Sequence, residues 1–136
     1  AWCHGAPGIL LARSKMYKLI KGSSDCITVE CDIKRALFAT KMYGLTDNDC
    51  LCHGNLGNTE ILLEYSKECN DEEVRHMMLS ARTQIAVDII NENYDCARSY
   101  LHGYKIPGFM IGISGMGYSL LRDLYPELPC ILALEI

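Results

Sequence analysis

The chain has 136 residues, of which 49% are hydrophobic and 22% are charged, a balance that excludes a disordered protein. Its formal net charge of −4 argues against a nucleic-acid partner, because phosphate binding requires a basic face. The longest uncharged run, residues 106–121, contains Pro107 and four glycines and is too short to cross a membrane. We expect a soluble globular domain or a part of one.

Eight cysteines are present, yet residues 1–4 show neither the basic start nor the apolar core of a signal peptide. Cysteines in a reducing cytoplasm bind metal, act in catalysis or pack as small hydrophobic side chains. We therefore expect a cytoplasmic protein. The missing initiator methionine and the motif at the very start suggest that the chain is cut from a longer protein.

A G-x-x-G motif occurs three times, at Gly5–Gly8, Gly54–Gly57 and Gly112–Gly115. One such motif is a weak signal. Its glycines either form turns that need positive φ, or they let the backbone approach a neighbouring helix or a ligand closely.

Apolar residues with helical spacing follow each motif and also fill the longer segments between the motifs. The five predicted apolar faces are Ile9, Met16, Leu19 and Ile20; Val29, Ile33, Ala36, Leu37 and Thr40; Ile61, Leu62, Tyr65 and Cys69; Val74, Met77, Met78, Ala81, Ile85 and Ile89; and Met116, Leu120, Leu121 and Leu124. Asn70 or Asp71 is the expected N-cap of the fourth helix. The pattern predicts an all-α fold of repeated helical hairpins, stacked in a solenoid or closed in a ring. Strands fit only short pieces such as residues 109–113 and 131–136.

The first two glycine motifs are preceded by Cys3-His4 and Cys52-His53, whereas the third has Met110 in place of the cysteine. If the corresponding helix ends are neighbours, two thiolates and one imidazole converge, and these ligands suit Zn²⁺. Three protein ligands would leave an open position for a thiol or a water, and four would close the site. We expect one histidine to be left out, because two adjacent pairs crowd a tetrahedron. The alternative is that both cysteines are simply buried.

Three stretches of the chain resemble the lanthionine synthetase C-like (LanC-like) cyclases. They are Trp2-Cys3-His4-Gly5-Ala6-Pro7-Gly8-Ile9 with Ala12-Arg13; Leu51-Cys52-His53-Gly54-Asn55-Leu56-Gly57-Asn58; and Pro107-Gly108-Phe109-Met110-Ile111-Gly112 with Gly115-Met116-Gly117-Tyr118 and Leu120-Leu121-Arg122. The ending is most similar to the C-terminus of class II lanthipeptide synthetases, which join a dehydratase to this cyclase. The resemblance implies that residues 1–136 are a C-terminal fragment of a LanC-like cyclase domain, part of an α/α toroid whose ring is incomplete.

The resemblance further implies a Zn²⁺ ion held by Cys3, Cys52 and His53. The implied reaction is Michael addition of a peptide cysteine thiol to dehydroalanine or dehydrobutyrine in a ribosomally made precursor peptide. In the family the principal acid–base residues precede the first zinc cysteine. His4 directly follows a ligand and is the candidate catalytic residue of this chain, with packing or support of the ligand as the alternative role. The rest of the synthetase is the expected partner, and the fragment alone is expected to be inactive.

Two other functions stay open. The chain could be a thiol-binding module that holds glutathione or a peptide cysteine at zinc without closing a ring, or a helical repeat with a purely structural zinc site. Arg13 and Arg122 are expected to form structural ion pairs, with binding of peptide carboxylates as the alternative. We expect His76 and His102 at the surface.

Cys50 is near enough to Cys52 to compete for metal, although burial is the expected role for it. The other cysteines, Cys26, Cys31, Cys69, Cys96 and Cys130, are expected in the core or at the surface.

Overall fold

The computed structural model describes residues 1–45, 48–96 and 105–135. Their regular secondary structure is helical throughout. The elements are α1 (Ala6–Ile20), α2 (Cys26–Tyr43), α3 (Asn55–Cys69), α4 (Glu72–Ile90), α5 (Ile113–Leu124) and a 3-10 helix (Ile131–Ala133). The all-α prediction is confirmed. The short pieces that could have been strands form instead the turn into α5 and the 3-10 helix.

The helices are arranged as two hairpins followed by α5. In the first hairpin α2 packs along α1, and in the second α4 packs along α3. The helices that follow the glycine motifs lie side by side, with α3 in contact with both α1 and α5. This repetition of paired helices is what part of an α/α toroid requires. Within the described residues, no helix combines the length and the apolar character needed to cross a membrane.

The hydrophobic core lies on both sides of α3, which is buried from Leu56 to Ser66. The larger cluster joins α1, α2, α3 and the first turns of α4, with Leu10 and Ile61 fully buried. A smaller cluster surrounds Leu56 and Met116 between α3 and α5. Each fully buried side chain of this size stabilises the fold by about 1.5–3 kcal/mol relative to exposure.

The predicted apolar face is correct for α2, where Val29, Ile33, Ala36 and Thr40 are buried. On α4 the N-cap is also correct, since the carboxylate of Asp71 accepts a hydrogen bond of 3.1 Å from the backbone N–H of Val74.

The predicted face of α1 is wrong in phase. Ile9 and Leu19 are 50% and 86% exposed, and the buried residues are Pro7, Leu10, Leu11 and Ser14. On α5 the predicted Leu121 and Leu124 are likewise exposed, and the buried residues include Ser119 and Arg122. Met116 on α5 is buried as predicted, so that face is wrong only in part. Polar side chains occupy part of each buried stripe, Ser14 on α1 and Ser119 and Arg122 on α5.

The second glycine of each motif allows close approach between a helix and the turn before it. A Cβ atom at Gly8, Gly57 or Gly115 would lie 2.2, 1.8 or 1.7 Å from the carbonyl oxygen of the residue six positions earlier. The first glycines cap the helices with φ of −164°, −111° and −137°, which other residues also adopt. The glycines therefore serve close backbone approach, and the alternative of positive φ is wrong.

A row of charges connects the three neighbouring helices. Lys15, Glu64 and Arg122 each stand seven positions after the second glycine of their motif. Lys15 Nζ lies 3.1 Å from Glu64 Oε2, and Arg122 Nη2 lies 3.2 Å from Glu64 Oε1. Arg122 also pairs with the buried Glu60 at 2.6 Å. The row therefore alternates in sign across α1, α3 and α5, and the structural ion pairing predicted for Arg122 is confirmed.

Arg82 is the largest fully buried side chain, at 2% exposure, and joins α4 to α3 and α5. Its Nε donates to the carboxylate of Asp123 at 2.9 Å, and its Nη2 donates to the carbonyl of Ser119 at 2.7 Å. Its Nη1 donates to the carbonyl of Leu56 and to the hydroxyl of Thr59, both at 3.2 Å. A buried guanidinium is tolerated only with such complete pairing.

The glycine contact can be tested with two alanine substitutions. Gly57→Ala forces a methyl group into the Leu51 carbonyl, and we expect the free energy of unfolding to fall by about 1–3 kcal/mol or more. Gly117→Ala is the control, because nothing lies within 4 Å of its Cβ position and alanine favours the helix by about 1 kcal/mol. Urea unfolding measures both. Equal stability of the two variants would refute the close-approach role.

Glu64 makes stability depend on pH. Burial raises its pKa, but the hydrogen bonds and charges of Lys67 and Lys15 outweigh burial and lower that pKa to about 2 from the ordinary 4.5. The ionised side chain therefore contributes stability that is complete above pH 4.5 and is lost as the pH falls toward 2. We expect the difference in unfolding free energy between wild type and Glu64→Gln to shrink across that interval. Glu72, which forms an exposed ion pair with Arg75, is the control. Glu72→Gln should leave the dependence of unfolding free energy on pH nearly unchanged.

Candidate functional site

The three glycine motifs meet at one end of the helices. Cys3 lies in the turn before α1 and Cys52 in the turn before α3, and these helices are neighbours. The third turn supports the second, because the backbone N–H of Cys52 donates to the carbonyl of Met110 at 2.8 Å. The predicted convergence of the first two motifs is therefore present, and the third motif contributes a backbone contact in place of a ligand.

The two predicted cysteine ligands lie near each other. Cys3 is exposed and Cys52 is half-buried. Burial, together with the interaction with the thiol of Cys3, raises the pKa of Cys52 to about 11. The Cys52 side chain is thus a neutral thiol when no metal is present. Metal binding at Cys52 would release its proton.

The two histidines differ in their contacts. His4 is exposed, and its Nδ1 lies 3.0 Å from Cys3 Sγ. His53 is half-buried, and its ring makes no hydrogen bond to the described residues. Within those residues no group of three or more His, Cys, Asp or Glu side chains is arranged as a metal site. The structure therefore brings Cys3 near Cys52. His53 belongs to the same turn because it directly follows Cys52 in the chain.

The donor atoms are those that zinc prefers, sulfur and imidazole nitrogen. Two of the three predicted donors, Cys3 and Cys52, are brought together from turns 49 positions apart in the chain, and the third, His53, directly follows Cys52. This donor set fits a zinc ion chemically.

A cavity of about 600 Å³ opens beside Cys3 and His4. Its volume lies within the range of small-molecule sites, about 300–1,000 Å³. The walls come from the start of the chain, from α1 and from Asp32 on α2. Arg13 Nε of α1 donates to the carboxylate of Asp32 at 3.0 Å. The structural ion pairing predicted for Arg13 is confirmed, and the cavity gives a ligand access to the Cys3 thiol.

The remaining cysteines are all free, and they occupy both core and surface. Cys50 is fully buried, and burial raises its thiol pKa although backbone N–H groups of the same turn donate to its sulfur. Cys96 and Cys130 are also buried, whereas Cys31 is exposed. Cys50 therefore packs beneath the turn, as its expected burial requires.

The predicted surface position of His76 is confirmed, and His102 lies outside the described residues. Sequence reasoning missed Arg82 and the hydrogen bond from the Trp2 indole to the Leu132 carbonyl. Neither has a local signal, since both depend on partners that are distant in the chain.

Over residues 1–135 the chain matches the family described as lanthionine synthetase C-like protein. The chain belongs to this family. It is also 31% identical over 131 residues to the lacticin 481/lactococcin biosynthesis protein LcnDR2 of Lactococcus lactis subsp. lactis. That match covers 90% of the chain but only 14% of the relative, so the chain spans about one-seventh of the relative's length. No solved structure matches it significantly.

The proximity of the thiols in this lanthionine synthetase C-like chain can be tested by oxidation. Treatment of the metal-free protein with diamide should join Cys3 to Cys52, because their side chains already interact. Cys31 is the control, since it is more exposed than Cys52 but lies on the body of α2. Peptide mapping by mass spectrometry identifies the linked pair. Random pairing of Cys3 with Cys31 would contradict the arrangement.

Proposed function

We propose that this chain is part of a zinc-dependent cyclase that closes lanthionine and methyllanthionine thioether rings in a lanthipeptide precursor. The observation that carries the proposal is the pairing of the Cys3 and Cys52 thiols at equivalent turns of a lanthionine synthetase C-like chain. The similarity to a lacticin 481/lactococcin biosynthesis protein supports the same class of reaction.

The proposed zinc ligands are Cys3, Cys52 and His53. Two thiolates and one neutral imidazole balance the charge of Zn²⁺ and leave one coordination position for an external ligand. Zinc, when bound, supplies the positive charge that lowers the pKa of an incoming peptide thiol. Open coordination distinguishes this proposal from a structural zinc site, in which a fourth protein ligand would exclude the substrate.

The proposed reaction is a Michael addition within one peptide. The sulfur of a peptide cysteine forms a bond to the β-carbon of dehydroalanine or dehydrobutyrine, while the π electron pair of the double bond moves toward the α-carbon and its carbonyl. The proton released by the thiol is replaced by one delivered to the α-carbon. The addition therefore needs no oxidant, and no group leaves.

His4 and the cavity beside Cys3 are proposed to serve this chemistry. The cavity of about 600 Å³ would accept the peptide segment that carries the cysteine. His4 borders the cavity and is in contact with Cys3, which supports the proposal that it helps deliver the proton to the α-carbon. The partners would be the dehydrated precursor peptide and the remainder of a longer cytoplasmic synthetase, of which residues 1–136 form a C-terminal part of the cyclase domain. The eight free cysteines are consistent with a reducing compartment.

The test uses the full-length synthetase that contains this chain, with a dehydrated precursor peptide as substrate. Cys3→Ala and Cys52→Ala should lose most of the zinc, and His53→Ala should retain less zinc than wild type. All three should leave the peptide cysteines open to alkylation. Cys96→Ala is the matched control, because it removes a buried thiol that is not a proposed ligand and should keep both zinc and ring closure. Elemental mass spectrometry measures zinc, and alkylation with peptide mass spectrometry counts the rings.

The outcomes separate the three candidate functions. Normal ring closure by Cys3→Ala or Cys52→Ala would refute the proposed site. A zinc-loaded wild type that binds glutathione or a peptide thiol but closes no ring would indicate a thiol-binding module. Zinc without any thiol binding would indicate a structural metal.

A further inference from the structure

The C-terminal segment, residues 126–135, returns from α5 to the start of the chain. At α5, the Tyr118 hydroxyl donates to the Pro129 carbonyl at 2.9 Å, and Arg122 Nε donates to the Leu128 carbonyl at 3.0 Å. At α1, Lys15 Nζ donates to Glu135 at 2.9 Å. The segment thus spans the three neighbouring helices and is bound at both ends.

The position of Leu132 within this segment is well defined. Its side chain is 3% exposed and belongs to the main hydrophobic core. Glu135 holds both ends of the 3-10 helix together, because its Oε2 accepts from the backbone N–H of Cys130 at 2.8 Å. Its Oε1 binds Lys15 and so ties the same helix to α1. The carbonyl of Leu132 is therefore held in place by its own segment.

That carbonyl accepts a hydrogen bond of 2.9 Å from Nε1 of Trp2, across 130 positions of the chain. Trp2 directly precedes Cys3, so the C-terminal segment holds the residue next to a proposed ligand. Within the turn itself the backbone closure is long, at 3.4 Å between the N–H of His4 and the carbonyl of Ala1. The indole hydrogen bond is thus shorter than the backbone hydrogen bond within the Cys3 turn.

The equivalent turns do not use such a bond. The residues six positions before the second glycine are Trp2, Leu51 and Phe109, and neither Leu51 nor Phe109 carries a side-chain donor. Leu51 is 1% exposed, and the Cys52 turn is held by its backbone bond to Met110. Only the Cys3 turn among the three therefore depends on a side-chain hydrogen bond from this position.

The C-terminal segment also borders the candidate site. Leu132, Ala133 and Leu134 line a second cavity of about 270 Å³ together with Trp2. This cavity shares Trp2, Gly8 and Ala12 with the larger cavity beside Cys3. Trp2, Gly8 and Ala12 thus lie between the C-terminal segment and the space beside Cys3.

We propose that the C-terminal segment positions Cys3 within the thiol site, through the hydrogen bond from the Trp2 indole to the Leu132 carbonyl. Trp2 is then a positioning residue, which acts through Cys3. The inference rests on the proposed function for its metal, but the geometry that it describes exists in the metal-free protein. Outer contacts that orient a ligand typically change metal affinity by about 10–100-fold.

The experiment removes one hydrogen bond at a time. Trp2→Phe keeps an aromatic ring and loses the donor to Leu132. Tyr118→Phe is the control, because it also deletes one side-chain donor to a carbonyl of the same segment, but on α5 and not next to Cys3 in the chain. With Co²⁺ as the probe, we expect Trp2→Phe to weaken binding about tenfold and reduce the thiolate-to-cobalt absorption, and Tyr118→Phe to change affinity by less than about twofold. Thermal unfolding of both variants checks that the comparison is made on folded protein.

A second measurement does not depend on metal. Failure of the chain to bind cobalt would count against the proposed zinc site, and the positioning role of Trp2 would then be decided by this second measurement. Diamide oxidation of the metal-free protein should link Cys3 to Cys52 more slowly in Trp2→Phe than in Tyr118→Phe. Glu135→Gln should also slow the cross-linking, although Trp2 is intact in this variant. Its fluorescence, which comes from Trp2 as the single tryptophan, should shift to longer wavelength as the Leu132 carbonyl becomes less firmly held. Equal cross-linking rates in wild type and all three variants would overturn the positioning role.

Discussion

The close approach of the second glycine in each motif to the carbonyl six positions earlier determines how every turn joins its helix. The same contact occurs at Gly8, Gly57 and Gly115, so the three turns have the same relation to the helices that follow. Side chains at equal offsets from these glycines consequently meet in space. Five positions before the glycine stand Cys3, Cys52 and Met110, and the first two form the thiol pair. One steric constraint thus places both the site and the contacts beneath it.

Features with a local pattern were predictable from the sequence. The all-α class, the hairpin repeat and the Asp71 cap follow from helical periodicity and from the capping preference of aspartate. The meeting of Cys3 with Cys52 was predictable because the repeats place equivalent residues at equivalent helix ends. The roles of His53 and of zinc remain predictions, since the described contacts connect Cys3 with Cys52 and with His4 but do not include the His53 ring.

Features that depend on distant partners were not predictable in this way. The buried stripe of α5 contains Arg122, whose carboxylate partners come from α3, and the fully buried Arg82 has its partners on α3 and α5. A count of hydrophobic residues assigns such positions to the surface, which explains the error on α5. The bond from Trp2 to Leu132 belongs to the same class, because its two ends are separated by nearly the whole chain.

The alternating charges of Lys15, Glu64 and Arg122 bear on how the repeats find their order during folding. Helical repeats with similar apolar faces can stack out of sequence, and such misassembly is a characteristic failure of repeat proteins. If α5 took the place of α3 beside α1, Lys15 would face Arg122, and two cations would share a largely buried position. The native order is the one that puts the carboxylate of α3 between them. The charge row therefore favours the native order of the three helices, because that order separates Lys15 from Arg122 by Glu64.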